Sequence, residues 1–110
     1  MARHITFVKK IKADGEFCAK CQQVSQQLES AGLLAKIDRI VIADERDPET
    51  EGMRLAAQHA VTYAPFFIVR EDDGQERIYT IYLKFLKEVL QQSVSQEAEN
   101  RAIIQDLDFL

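Results

Sequence analysis

Cys18 and Cys21 are the only thiols in the chain, and just Ala19 and Lys20 separate them. On a helix that spacing is close to one turn. It sets the two Cα atoms roughly 5 Å apart, inside the ~4.4–6.8 Å range over which a disulfide closes, so the pair can make and break a bond with little backbone movement. After the pair, Cys21, Val24, Leu28 and Ala31 recur at three- and four-residue intervals, with Gln22, Gln23, Gln26, Gln27 and Glu29 between them. This pattern predicts an amphipathic helix of about three turns, and Gly32 stands where a left-handed residue would end it. The helix then begins at or near Cys18. That thiol lies among unpaired N–H groups at the positive end of the helix dipole, while Cys21 is one turn in and starts the buried stripe. A thiolate is the nucleophilic form, and a free cysteine with a pKa near ~8.5 is mostly protonated at neutral pH. Cys18 is therefore the candidate nucleophile and Cys21 the candidate resolving thiol. Lys20 is a candidate for tuning the pKa of Cys18 if its ammonium turns toward the thiol, the plainer alternative being a solvated surface lysine.

Seven elements frame this pair. Ile5 to Val8, extending toward Ile11, is rich enough in β-branched and aromatic residues for a first strand, and Asp14-Gly15 marks a turn ahead of the thiols. Ile37 to Ala43 is a second strand whose apolar run suits burial on both faces. Asp47-Pro48-Glu49 starts a second helix, with Asp47 as N-cap and Pro48 in the first turn, running to about Ala60. Phe66 to Val69 is a third strand, Asp72-Asp73-Gly74 a hairpin turn, and Glu76 to Thr80 the antiparallel return strand. Tyr82 to Leu90 has the spacing of an amphipathic third helix. The expected fold class is α/β: β-α-β-α-β-β-α, a mixed four-stranded sheet flanked by helices on both faces, with the thiols at the carboxyl end of the first strand. Residues 1–92 form the domain, and 93–110 are a C-terminal tail read as a further helix.

Composition narrows the function. At 110 residues the chain makes one domain, and 46% hydrophobic with 29% charged residues is ordinary for a globular protein. A net charge of -4 argues against nucleic acid as a partner; the one basic run, Lys9-Lys10-Ile11-Lys12, reads as a solvated strand end. Neither a secretory signal nor an apolar run of ~18 residues is present, so the expected location is cytoplasmic, with no membrane partner. In a reducing compartment a Cys-X-X-Cys pair points to redox or metal chemistry more than to a structural staple.

The sequence resembles the thioredoxin superfamily and is glutaredoxin-like in size. Beside Cys-X-X-Cys, the stretch Ala56-Ala57-Gln58-His59-Ala60-Val61-Thr62-Tyr63-Ala64-Pro65, followed by Phe66 to Val69, is similar to the family's helix end, loop, cis-proline and third strand. His59 stands where an aromatic is usual. The resemblance covers Ile5 to Leu90. It implies that Pro65 is cis and faces the thiols, and that the backbone of Ala64 pairs with an extended substrate, so that Phe17, Ala64 and Pro65 form the substrate-binding edge. The chain departs from thioredoxins in having Phe17 before the thiols and no tryptophan, and from glutaredoxins in lacking Thr-Val-Pro and a Gly-Gly pair.

The expected function is thiol-disulfide exchange, in which Cys18 attacks a disulfide and Cys21 resolves the mixed disulfide. No metal or organic cofactor is required. The redox-active disulfide suffices, with a reductase or glutathione as electron donor and a disulfide-containing protein or small-molecule thiol as substrate. Two alternatives stand beside it. One is a non-catalytic module that holds a partner through the cis-proline edge or the tail. The other is a metal or iron-sulfur carrier, for which His4 and His59 lack ligand spacing to the thiols.

Overall fold

His4–Ile11 forms β1, the strand on which the sheet is built. Its side chains alternate: Ile5 and Phe7 point to one face, Val8 to the other, and all three are buried, as a central strand covered on both sides requires. The computed structural model describes residues 3–90, so the expected tail helix at 93–110 lies outside the described residues. β1 pairs in parallel with β2 (Arg39–Asp44) and antiparallel with β3 (Phe66–Arg70), which pairs antiparallel with β4 (Glu76–Tyr79). The order β2-β1-β3-β4 makes the mixed four-stranded sheet that the sequence predicts.

Three helices cover it. α1 (Ala19–Ser30) and α3 (Tyr82–Glu88) close one face, where Val24, Leu28, Tyr82 and Phe85 pack on Ile5, Phe7, Phe67 and Val69. α2 (Glu51–Gln58) closes the other, laying Met53, Leu55 and Ala56 on Val8, Val41, Ala43, Phe66 and Ile68. The β3–β4 hairpin turns where expected. Gly74 takes φ 89°, its N–H donates to the Glu71 carbonyl at 3.0 Å, and Asp73 accepts from the Gln75 N–H at 3.0 Å.

The expectations for β2 and for both ends of α2 are corrected by the structure, for physical reasons. Ile37 to Ala43 is not buried on both faces: β2 starts at Arg39 and is an edge strand, with Arg39 exposed and Ile40 49% exposed. The apolar run is spent partly outside the strand, where Ile37 packs against the α1 face of the core. Nor does α2 begin at Asp47. Its N-cap is Thr50, one turn later. Asp47 instead accepts from the Glu49 N–H at 2.9 Å, a local turn that competes with the helix start. Thr50 Oγ1 is committed elsewhere, accepting from the Asp44 N–H at 3.1 Å and donating to the Asp47 carbonyl at 2.9 Å. The helix also stops at Gln58 rather than Ala60, which has φ 55°. Among the described residues no helix is long and apolar enough to cross a membrane.

Candidate functional site

The connection from β1 to α1 decides where Cys18 lies. Past Ile11 the chain folds back on itself: Gly15 takes φ 85°, its N–H donates to the Lys12 carbonyl at 2.9 Å, and Asp14 accepts from the Glu16 N–H at 2.9 Å. Phe17 then bridges antiparallel to Ile11. The next residue, Cys18, donates its N–H to the Lys10 carbonyl at 3.0 Å. From there α1 begins, with Cys18 as its N-cap at φ -59°, ψ 124°.

Both cysteines are free thiols, and their surroundings differ. Cys18 Sγ accepts from the Cys21 N–H at 3.3 Å, taking the place that a Ser or Asp oxygen fills at an ordinary N-cap. Cys21 is fully buried, and its Sγ accepts from the Lys10 N–H at 3.4 Å. The Cys18 thiol is pulled down to about 6. The Cys21 thiol does most of this by donating to the thiolate; the N–H groups of Cys21 and Lys20 and the Lys10 charge add to it, against an upward push from burial. The Cys21 thiol is pushed up by the same hydrogen bond, seen from the donor, and by burial. The two thiols thus hold their protons differently, for a local electrostatic reason.

Facing the pair is the loop before β3. The Ala64–Pro65 peptide bond is cis, and the Ala64 carbonyl accepts from the Cys18 thiol at 3.7 Å. Pro65 is buried, whereas Phe17 and Tyr63 on either side are 44% and 39% exposed. Phe17 precedes Cys18 in the chain and the Ala64 carbonyl meets its thiol; the Lys9 ammonium lies 5.7 Å from the centre of the Phe17 ring. Beside Ala64 a groove of about 330 Å³ runs between α2 and the end of β2, lined by Met53, Ala56, Val61 and Phe66, with Lys10 and Glu45 at the charged end.

Lys20 is half-buried rather than freely solvated, and burial pulls its ammonium down while the two thiols hold it up. Its backbone N–H is one of the groups that pull Cys18 down. Lys10 is the residue the sequence reading passes over. Placed in a solvated run, it instead touches both cysteines through its backbone and pairs with Glu45, Nζ to Oε2 3.5 Å. Strand alternation carries the signal, since two residues after the buried Val8 its side chain falls on the α2 face. The imidazoles stay away from the thiols: His4 starts β1, and His59 Nε2 lies 3.7 Å from Glu76. Among the described residues no three His, Cys, Asp or Glu side chains gather as metal ligands do. No protein-family model, no curated protein and no solved structure matches the chain.

Proposed function

We propose that the protein is a dithiol-disulfide oxidoreductase with a thioredoxin-like fold, in which Cys18 attacks and Cys21 resolves. One observation carries this reading: two adjacent thiols whose protons are held very differently. Cys18 sits at the helix N-cap and is pulled down to about 6, and Cys21 is buried and pushed up. At neutral pH a thiol at about 6 is roughly 90% thiolate, against a few per cent for an ordinary cysteine. It also keeps good nucleophilicity, which is highest for thiols whose pKa lies near ambient pH.

The chemistry balances without a further cofactor. The Cys18 thiolate attacks one sulfur of the substrate disulfide; a Cys18–substrate bond forms, the substrate S–S bond breaks, and the departing thiolate takes a proton from solvent. Cys21 then gives up its proton and attacks Cys18 Sγ. The intramolecular disulfide forms and the second substrate thiolate leaves, so two electrons have passed to the substrate. A reducing dithiol, or two equivalents of a monothiol such as glutathione, restores the pair. Fold support comes from the sheet order, the N-cap thiol and the cis proline beside it.

Replacing each thiol in turn tests the assignment. Cys21→Ser should accumulate reducible covalent adducts on Cys18 in a mildly oxidising extract, since nothing resolves the intermediate. Cys18→Ser should trap far less, because Cys21 is fully buried. Mass analysis of the adducts reads the result, and protein adducts would separate a polypeptide substrate from a glutathione one. Equal trapping by both variants, or by neither, would sink the oxidoreductase reading.

A further inference from the structure

Three large apolar side chains are exposed among the described residues. Phe17 precedes Cys18 and Tyr63 precedes Ala64, both at the thiol end, whereas Ile40 stands apart on β2. β2 is one of the two edges of the sheet, and the two edges are built differently. β4 has four residues and begins with the exposed charges of Glu76 and Arg77, the short, charged kind of edge that resists pairing. β2 keeps its charges, Arg39 and Asp44, at its ends and runs Ile40-Val41-Ile42-Ala43 between them. Hydrogen bonding shows how much of this edge is open. The Glu45 N–H donates to the Ile11 carbonyl at 2.9 Å, on the β1 side, while the Asp44 N–H turns the other way, to Thr50 Oγ1 at 3.1 Å. Alternation along the strand then directs the N–H and C=O of Ile40 and Ile42 outward, and those of Arg39, Val41 and Ala43 to β1. Thr50 closes the edge at one end. At the other, just ahead of the strand, the Asp38 N–H is taken by the Ile5 carbonyl at 2.9 Å. α2 covers the face that holds Val41 and Ala43, so the side chains of Ile40 and Ile42 lie on the opposite face.

We propose that this edge is a self-association surface, on which β2 of a second copy pairs antiparallel about a two-fold axis at Val41. The register follows from the open groups. Centred on Val41, Ile40 of each chain faces Ile42 of the other, and four N–H···O bonds use every outward N–H and C=O of these residues. Centring the pair on Ile42 or on Ile40 instead draws the N–H of Asp44 or of Asp38 into the ladder, and both are already taken. In the Val41 register Ile40 loses its exposure against Ile42 of the other chain. Asp38 and Asp44 meet at the ends of the pair, each carboxylate already engaged: Asp38 by the Ile5 N–H at 2.7 Å and Asp44 by the Arg46 guanidinium at 2.8 Å. Since β1 and β2 are parallel, antiparallel pairing sends the two thiol pairs to opposite ends of the joined sheets. Both stay open. A contact of two strands falls short of the ~1,200 Å² of a standard interface, so the dimer forms as concentration rises and parts on dilution.

The test is sedimentation of the full-length chain in excess reductant, so that no disulfide joins two copies, over a series from about 10 µM to about 1 mM. Amide exchange at the same concentrations is read residue by residue by NMR. The mean mass should rise toward twice the monomer's, and the Ile40 and Ile42 amides should exchange about tenfold more slowly once about 90% of chains are paired. Ile40→Pro should stay monomeric. It removes an outward N–H that β1 does not use, which an edge strand accommodates. Ile40→Lys places a charge on the edge and should also stay monomeric; it decides alone if the proline variant does not fold. Tyr63→Ser should associate as the wild type does. A chain that is monomeric throughout, a dimer that survives Ile40→Lys, or one that is lost in Tyr63→Ser overturns the proposal. So do Ile40 and Ile42 amides that are equally slow at every concentration, because a segment of the same chain would then cover the edge.

Discussion

Cys18 carries a second consequence of its environment, visible in stability rather than reactivity. A thiol held at about 6 in the folded chain releases its proton there, while in the unfolded chain it keeps it to ~8.5. Between these values the unfolded state binds one more proton, so stability rises with pH; the contribution is complete above the unfolded pKa and lost as pH falls through about 6. Cys21 acts the other way. Pushed up in the folded chain, it stays protonated where the unfolded chain has ionised, so stability falls again as pH climbs beyond ~9. Chemical denaturation of the dithiol form should therefore show a gain on the order of 1–2 kcal/mol between pH 6 and pH 8, allowing for screening at a site that must meet solvent. In Cys18→Ser that gain should vanish. The same gain in wild type and variant would mean that other groups produce it and that Cys18 is not held low.

Gly52 is where α2 is seated on the sheet. A Cβ at this position would lie within 2.5 Å of the Ile42 carbonyl carbon and oxygen, and the Ala43 N would also be in its way. These are backbone atoms of β2 that cannot rotate aside, so Gly52→Ala must push α2 outward. Alanine would otherwise be favoured in a helix by about 1 kcal/mol over glycine; overpacking costs about 1–3 kcal/mol and decides the sign. A fall in the denaturant midpoint at constant slope is expected, and a rise would mean that α2 does not sit this close. The contact also bears on what could be foreseen. Elements whose pattern answers to a local rule were legible: β1 by its β-branched and aromatic content, α1 and α3 by their three- and four-residue spacing, the Asp72-Asp73-Gly74 hairpin by its turn residues, and Cys18 by its place ahead of α1. What local pattern cannot supply is non-local. Ile37 to Ala43 looks like a buried strand until the order β2-β1-β3-β4 leaves it at an edge. Asp47 looks like an N-cap until Thr50 is tied to Asp44 across the loop. Lys10 looks solvated until the turn at Gly15 brings Cys18 back against it.

The sheet divides the molecule into two apolar clusters of unequal size, and the site depends on both. On the α2 face the smaller cluster forms the floor of the groove through Phe66 and Ala43. On the other face the larger one is organised around aromatic rings: Phe7 stacks on Phe67 with centroids 4.8 Å apart, Phe67 on Phe85 at 3.9 Å, and Tyr79 meets Phe85 edge-on at 5.8 Å. Phe67 takes part in the first two of these contacts. It lies on β3, two residues after Pro65, and joins β1 to α3 through one side chain, with 1% of its surface exposed. Truncating a buried aromatic costs about 3–5 kcal/mol, a large part of the ~5–15 kcal/mol that holds a domain folded. Phe67→Ala should therefore lower the melting temperature by at least about 12 °C, taking ~4–8 °C per kcal/mol for a domain of this size. Ile40→Thr is the matched control. It replaces an apolar side chain at an exposed position on β2 with another β-branched residue, and should stay within about 0.5 kcal/mol of wild type. A Phe67→Ala protein that melts with the wild type, or an Ile40→Thr protein that loses as much as it does, would place the stabilising core somewhere other than on the α1 and α3 face of the sheet.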